Sequence, residues 1–186
     1  VATQMGNQGS ASDGLRRGTE LVLGGTLGEV REAHIWFDGG NAPLERPKDT
    51  PPVPATLDWD LWLGPAPEVP YNSSRQSGWN DWWDYCAGAF SGDASHQLDL
   101  TRMVLGDPPA PRSVSCAGGR LGWADGREIP DTLAVTYDYG DFVMTCESGT
   151  ATPYMRKFPN EVRYGDQWPY WPQSSCRVEI YGTKQL

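Results

Sequence analysis

Thr132 to Asp138 and Phe142 to Glu147 read as the two strands of a hairpin that turns at Tyr139-Gly140-Asp141, a glycine-bearing connection of the kind antiparallel pairs use. Further strands are expected around the hairpin. Ser113 to Ala117 follows a Pro-rich connection. In Cys176 to Tyr181, Cys176, Val178 and Ile180 alternate against Arg177, Glu179 and Tyr181. Glu29 to Asp38 sets Arg31, Ala33, Ile35 and Phe37 against Val30, Glu32, His34 and Trp36, and the second set is mixed, so both faces are expected to be partly covered. Consecutive strands joined by hairpin or meander connections define an α+β fold: a large, mainly antiparallel open sheet with helices packed on one face.

The helices are fewer. Ser10 to Gly25 carries Leu15, Thr19, Val22 and Leu23 on one face, with Ser12 or Asp13 as cap and Gly24-Gly25 as stop. Asp58 caps a short turn through Leu63 that Gly64-Pro65 ends. Gly39 to Ala55 and Pro70 to Asp81 read as irregular. A third helix spans residues 93–105, where Leu98, Leu100, Met103, Val104 and Leu105 run apolar until Gly106. Asp93 is its expected N-cap. That places His96 in the first turn, where the helix dipole favours a neutral ring, and a neutral imidazole is what a general base needs. The plainer alternative is a half-buried polar residue bonded to a neighbouring carbonyl.

Composition bounds the partners. At 186 residues the chain suits one domain with a real core. Its 22 Gly and 16 Pro imply long irregular connections, while nine Trp, eight Tyr and four Phe supply ample surface to bury. A net charge of −9 argues against nucleic acid, whose phosphates it would repel. No apolar run approaches a membrane span, so no membrane partner is expected. Cys86, Cys116, Cys146 and Cys176 recur at a constant interval, but their flanks show no repeat. Without a Cys-x-x-Cys pair no metal site is expected, and free, buried thiols are.

Four further segments belong together: the opening Gln4-Met-Gly-Asn-Gln8, Leu57-Asp-Trp-Asp-Leu-Trp-Leu-Gly-Pro-Ala-Pro67, Trp79-Asn-Asp-Trp-Trp-Asp-Tyr85 and Arg177-Val-Glu-Ile-Tyr-Gly-Thr183. In this order and spacing the chain resembles the Gfo/Idh/MocA family of NAD(P)-dependent oxidoreductases, and within it a bacterial branch carrying the QMGNQ and LDWDLWLGPAP segments. The resemblance covers nearly the whole chain. It implies the α+β second domain of such a dehydrogenase: residues 1–25 as the end of the nucleotide-binding domain and its linking helix, and 26–186 as the substrate-binding and oligomerisation domain. The family's Rossmann turn and its Glu-Lys-Pro lysine are not found. Lys48, Lys157 and Lys184 are the only lysines, and none sits in that motif. The resemblance therefore implies a C-terminal portion, cut at its start and at its end, with NAD or NADP bound mainly by the other half.

The family's Gly-x-x-x-Asp-x-Gly-x-His-x-x-Asp pattern is met here by Gly88, His96 and Asp99. Gly92 stands where the first aspartate belongs, Asp93 comes one step later, and Ala94 replaces the second glycine. The resemblance implies His96 as the catalytic group. Asp93 is either a second catalytic group or only a cap, and Asp99 either orients the ring or pairs locally. Gln4 and Asn7 are implied beside the nicotinamide, and Asn7 and Gln8 beside substrate, with ordinary turn chemistry as the alternative. Aromatic rings interleaved with acids suit sugar faces and hydroxyls, so Asp81, Trp83 and Asp84 are further substrate candidates, against a loop merely pinned by aromatic burial. Trp168, Tyr170 and Trp171 form a similar rim or a cover over the sheet. The implied reaction is hydride transfer between nicotinamide and a hydroxyl-bearing carbon of a sugar or polyol, with this portion inactive alone. Three alternatives stand: an NAD-using glycosidase of the same family, a carbohydrate-binding module, and a pure assembly domain forming homo-oligomers through the sheet face. Compartment, cytoplasmic or periplasmic, stays open.

Overall fold

The computed structural model describes residues 2–3, 6–37, 45, 49–149 and 176–185, and the backbone but not the side chains of Gln8, Ala89 and Cys176. Five strands form one sheet: β1 (Val30–Phe37), β2 (Ser113–Gly119), β3 (Thr132–Asp138), β4 (Val143–Gly149) and β5 (Cys176–Gly182), in the order β2-β3-β4-β1-β5. β2, β3 and β4 form an antiparallel meander and β5 is antiparallel to β1, while β1 and β4 run parallel. The mainly antiparallel α+β architecture is thus as the strand pattern implies. The expected hairpin is present, with Tyr139 N–H donating to Phe142 O at 3.1 Å across its turn. Its second strand starts one residue later than expected because Phe142 belongs to that turn.

Period-two alternation sorts the sheet into two faces. Ala33, Ile35 and Phe37 of β1 lie beside Met144, Cys146 and Ser148 of β4, and all six are buried. On the other face His34 and Trp36 are half-buried and Glu32 is exposed. Among the described residues the helices cover the first face only. α1 (Asp13–Leu23), α2 (Trp59–Leu63), α3 (Ser73–Ser77) and α4 (Ala89–Gly92) precede α5 (Ala94–Val104). Ala94, Thr101 and Val104, at helical spacing, point α5 into the core with Leu98 and Leu105 beside them. A large apolar side chain such as Phe37, sealed here against the Phe90 ring at 5.5 Å, contributes about 1.5–3 kcal/mol by leaving water.

Several expectations need correction. The first helix does not begin at Ser10. A 3-10 turn, Gln8–Ala11, comes first, and Ser12 is extended (ψ 129°), so α1 starts at Asp13. Leu23 does not share the inward face; it is 60% exposed, and the half-buried residues are Leu15, Gly18, Thr19 and Val22. The stretch before Asp81 is not wholly irregular: Asn72 caps α3 by accepting Ser74 N–H at 2.9 Å. The short helix after Asp58 forms as expected, Asp58 accepting Leu61 N–H at 3.0 Å. Cys86, Cys116 and Cys146 are free thiols, but only Cys146 is buried. Burial pushes the Cys146 thiol up to about 12, whereas Cys116 lies on the edge strand β2 and is exposed. Among the described residues no helix is long and apolar enough to cross a membrane.

Candidate functional site

Asp93 does not cap α5. Its backbone is helical (φ −85°, ψ −38°), and its side chain accepts no capping hydrogen bond. α4 ends at Gly92 and α5 starts at Ala94, so His96 lies in the first turn of α5 as expected, its N–H donating to Asp93 O at 3.2 Å.

What holds His96 comes from elsewhere. His96 and Asp99 are three residues apart, hence on one face of α5, and the 3-10 turn Gln8–Ala11 lies across that face. Gly9 allows the approach, since a Cβ there would stand 3.0 Å from both Leu100 methyls. Asn7 is thereby brought to both side chains: its Oδ1 is 3.3 Å from His96 Nδ1, and its Nδ2 donates to Asp99 Oδ2. Ser10 Oγ donates to the same carboxylate oxygen at 3.1 Å. The result is a half-buried imidazole held on one nitrogen, with the Asn7 amide standing between it and an acid.

The segment leading to this helix is clamped. Gly88 has φ +81°, and a Cβ there would lie 2.5 Å from Ile129 Cδ1. Gly88→Ala therefore combines a left-handed backbone, about 1–2 kcal/mol, with overpacking, about 1–3 kcal/mol. A loss of about 2–5 kcal/mol in urea denaturation is expected; a loss below about 1 kcal/mol would mean that Ile129 simply moves aside.

Ile129 belongs to a strand-free stretch with its own polar core. Arg127 is 1% exposed and grips the Asp125 carboxylate, Nη2 to Oδ2 at 2.7 Å and Nε to Oδ1 at 2.9 Å. The hydrogen bond to Asp125 holds the guanidinium above its usual range despite burial. Asp131, also 1% exposed, accepts the N–H groups of Leu121, Gly122 and Trp123 and the Thr132 hydroxyl. Burial pushes its carboxyl up, but those donors outweigh it and hold it below the ordinary 3.8. Neither group was singled out by sequence; the one signal was the close spacing of Asp125, Arg127 and Asp131 in a glycine-bearing segment.

The aromatic–acid segment is a packed loop with an exposed rim. Arg75 stacks on Trp82, 3.9 Å from the ring centre, and its Nη1 pairs with Asp84 Oδ2 at 2.7 Å. Tyr85 packs edge-on to Trp62, which stacks on Trp59 at 4.7 Å. Trp83 is 55% exposed, and its backbone N–H donates to Glu128 Oε2 at 3.2 Å. Asp81 O accepts Glu128 N–H at 3.3 Å. The hydrogen bonds of Trp83 and Asp84 thus run to Glu128 and Arg75, away from His96. Gln4 lies outside the described residues, as do Trp168, Tyr170 and Trp171, and the side chain of Gln8 is not described.

A mainly antiparallel sheet with helices packed on one face and a histidine on the flanking helix α5 defines an α+β domain class. The sequence matches the oxidoreductase family, C-terminal alpha/beta domain, over residues 37–151, and the chain belongs to this family, Gfo/Idh/MocA. No curated protein sequence matches it significantly. Among solved structures it is similar to GenD2 from gentamicin A biosynthesis, solved with NAD, at 20% identity and TM-score 0.59, covering 99% of this chain and 38% of that one. It is similar to the WlbA dehydrogenase from Bordetella pertussis, solved with NADH and UDP-GlcNAcA, at 16% identity and TM-score 0.53, covering 95% and 40%. A super-repressor mutant of Gal80p from Saccharomyces cerevisiae is equally similar, at 16% identity and TM-score 0.59, covering 99% and 40%. At these identities the likeness is one of fold, and the chain spans about two fifths of the length of these structures. The described residues do not fit a dinucleotide: no strand among them runs through a glycine-rich turn into a helix N-terminus, the cradle a pyrophosphate needs.

Proposed function

We propose that this chain is the substrate-binding half of an NAD(P)-dependent oxidoreductase acting on a sugar or polyol. The nicotinamide, which accepts or returns the hydride, is held by a separate nucleotide-binding domain. The observation that carries this reading is the His96 ring fixed on α5 by the Asn7 amide. Removing hydride from a hydroxyl-bearing carbon requires the hydroxyl to lose its proton, and a positioned imidazole can take it. Asn7 and Gln8 stand on the segment crossing α5 and are proposed to meet substrate, and Gln4 and Asn7 to face the nicotinamide. Asp93, released from a capping role, is the second acid available to the proton transfer. Trp83, exposed, supplies a ring on which a sugar face can stack, with Asp81 and Asp84 beside it in sequence.

The sheet face that no described helix covers is the proposed contact between copies. It presents His34 bonded to Thr145 and Glu32, each at 2.9 Å, and Trp36 beneath the Arg177 guanidinium at 4.2 Å.

The test uses the intact protein carrying this chain, supplied with NAD or NADP and a panel of sugars, polyols and nucleotide sugars. Reduced nicotinamide should accumulate with at least one of them, and this chain alone should produce none. Turnover by the isolated chain would overturn the division of labour. Free sugar released from a glycoside without net nicotinamide reduction would replace dehydrogenation by glycosidase chemistry.

A further inference from the structure

We infer that Asp99, acting through Asn7, sets the tautomer of the neutral His96 ring to Nδ1–H, leaving the Nε2 lone pair as its only basic site. Asn7 and Asp99 are positioning residues in this arrangement. This deepens the proposed role of His96 as proton acceptor, and its catalytic consequence rests on that reading; the tautomer does not.

The inference follows from what each group can donate. An ionised carboxylate only accepts hydrogen bonds. Asp99 Oδ2 therefore receives an N–H from Asn7, as it receives the Ser10 hydroxyl at 3.1 Å. That contact fixes the amide: its NH₂ end faces Asp99, and its carbonyl end faces His96. The 3.3 Å approach of Asn7 Oδ1 to His96 Nδ1 then joins a pure acceptor to a ring nitrogen. Such a pair is a hydrogen bond only if that nitrogen carries the proton. In a neutral ring the other nitrogen is then bare. Had Asn7 faced the other way, its NH₂ would have met Nδ1 and selected the opposite tautomer, with Nε2 protonated and useless as a base.

Asp99 does this from a distance, its carboxylate bonded to Asn7 and Ser10 and the ring to Asn7. The other titratable group close in sequence, Asp93, meets His96 through the backbone, its carbonyl accepting His96 N–H at 3.2 Å, while its carboxylate makes no capping bond to α5. Asn7 keeps one N–H and one lone pair beyond these two bonds, so a ligand hydroxyl can still join it without disturbing the ring.

The test is a long-range ¹H–¹⁵N correlation on this chain labelled with ¹⁵N-histidine. The measurement is made at about pH 8.5, well above the ordinary imidazole range. His34 and His96 are the only histidines, and His34→Gln assigns the pair. The expected signature of His96 is a pyrrole-like Nδ1 and a pyridine-like Nε2. Asn7→Ala should shift the ring towards the Nε2–H form that free imidazole side chains favour. Asp99→Asn, nearly isosteric, should blur the signature, because an amide there can donate as well as accept. An Nε2–H ring in the wild-type chain overturns the inference, as does an unchanged signature in both variants while their fingerprint spectra show them folded. The two readings separate cleanly. Intact enzyme that keeps its turnover without His96 removes the catalytic reading and leaves the tautomer standing; an Nε2–H ring in an enzyme that needs His96 does the reverse.

Discussion

On the proposed reading, His96→Gln, introduced into the intact protein, is expected to lower turnover by about 10²–10⁴-fold, the usual worth of a positioned proton acceptor. Glutamine keeps a hydrogen-bonding group at that place on α5 but cannot take up a proton near neutrality. The loss should therefore fall on kcat and kcat/KM together, with substrate affinity changing far less, as for an interaction made only in the transition state. The side chain is half-buried on a helix whose core contacts are made by Ala94, Leu98, Thr101 and Val104, so the fold should survive with little change in melting temperature. Steady-state kinetics over a pH series check this. Turnover within a few-fold of wild type would remove the imidazole from the proton transfer, and a matching rise in KM alone would reassign it to substrate binding.

The parts of the fold that could be read from sequence are those set by local pattern. The β3–β4 hairpin, the β1 alternation and the capped turn at Asp58 each depend on neighbours a few residues apart. The parallel pairing of β1 with β4 was not legible, because alternation fixes which side chains share a face and not which strand lies beside which. The same limit hid the site. The Asn7–Asp99 bond spans 92 positions, and nothing in either segment announces the other. Asp93 was misread for a different reason. A carboxylate before an apolar helical run looks like a cap, but the Asp93 backbone is already helical, and it is its carbonyl, not its side chain, that accepts His96 N–H at 3.2 Å. Cys116 shows the converse case, a small hydrophobe exposed on the edge strand β2.

Arg127→Met should cost about 3–5 kcal/mol of stability, because removing one partner of a buried ion pair leaves the other charged and without its counter-ion. Asp125 is itself only 7% exposed on its side chain, so water cannot restore what the guanidinium supplied. The loss should read as a fall of roughly 10 °C in the melting midpoint for a domain of this size, followed by circular dichroism. Its consequence reaches the site. Glu128 N–H donates to Asp81 O, Glu128 Oε2 accepts Trp83 N–H, and Ile129 closes over Gly88. The 127–129 stretch thereby holds both ends of the aromatic loop that leads into α4 and α5. Hydrogen exchange in Arg127→Met should consequently speed up at residues 81–88 before it does in β1 or β4. A variant that also carries Asp125→Leu removes the stranded carboxylate along with the guanidinium and should recover part of the lost stability. If the single variant costs less than about 1 kcal/mol, or if exchange rises uniformly across the sheet, Arg127 does not anchor the segment that presents His96.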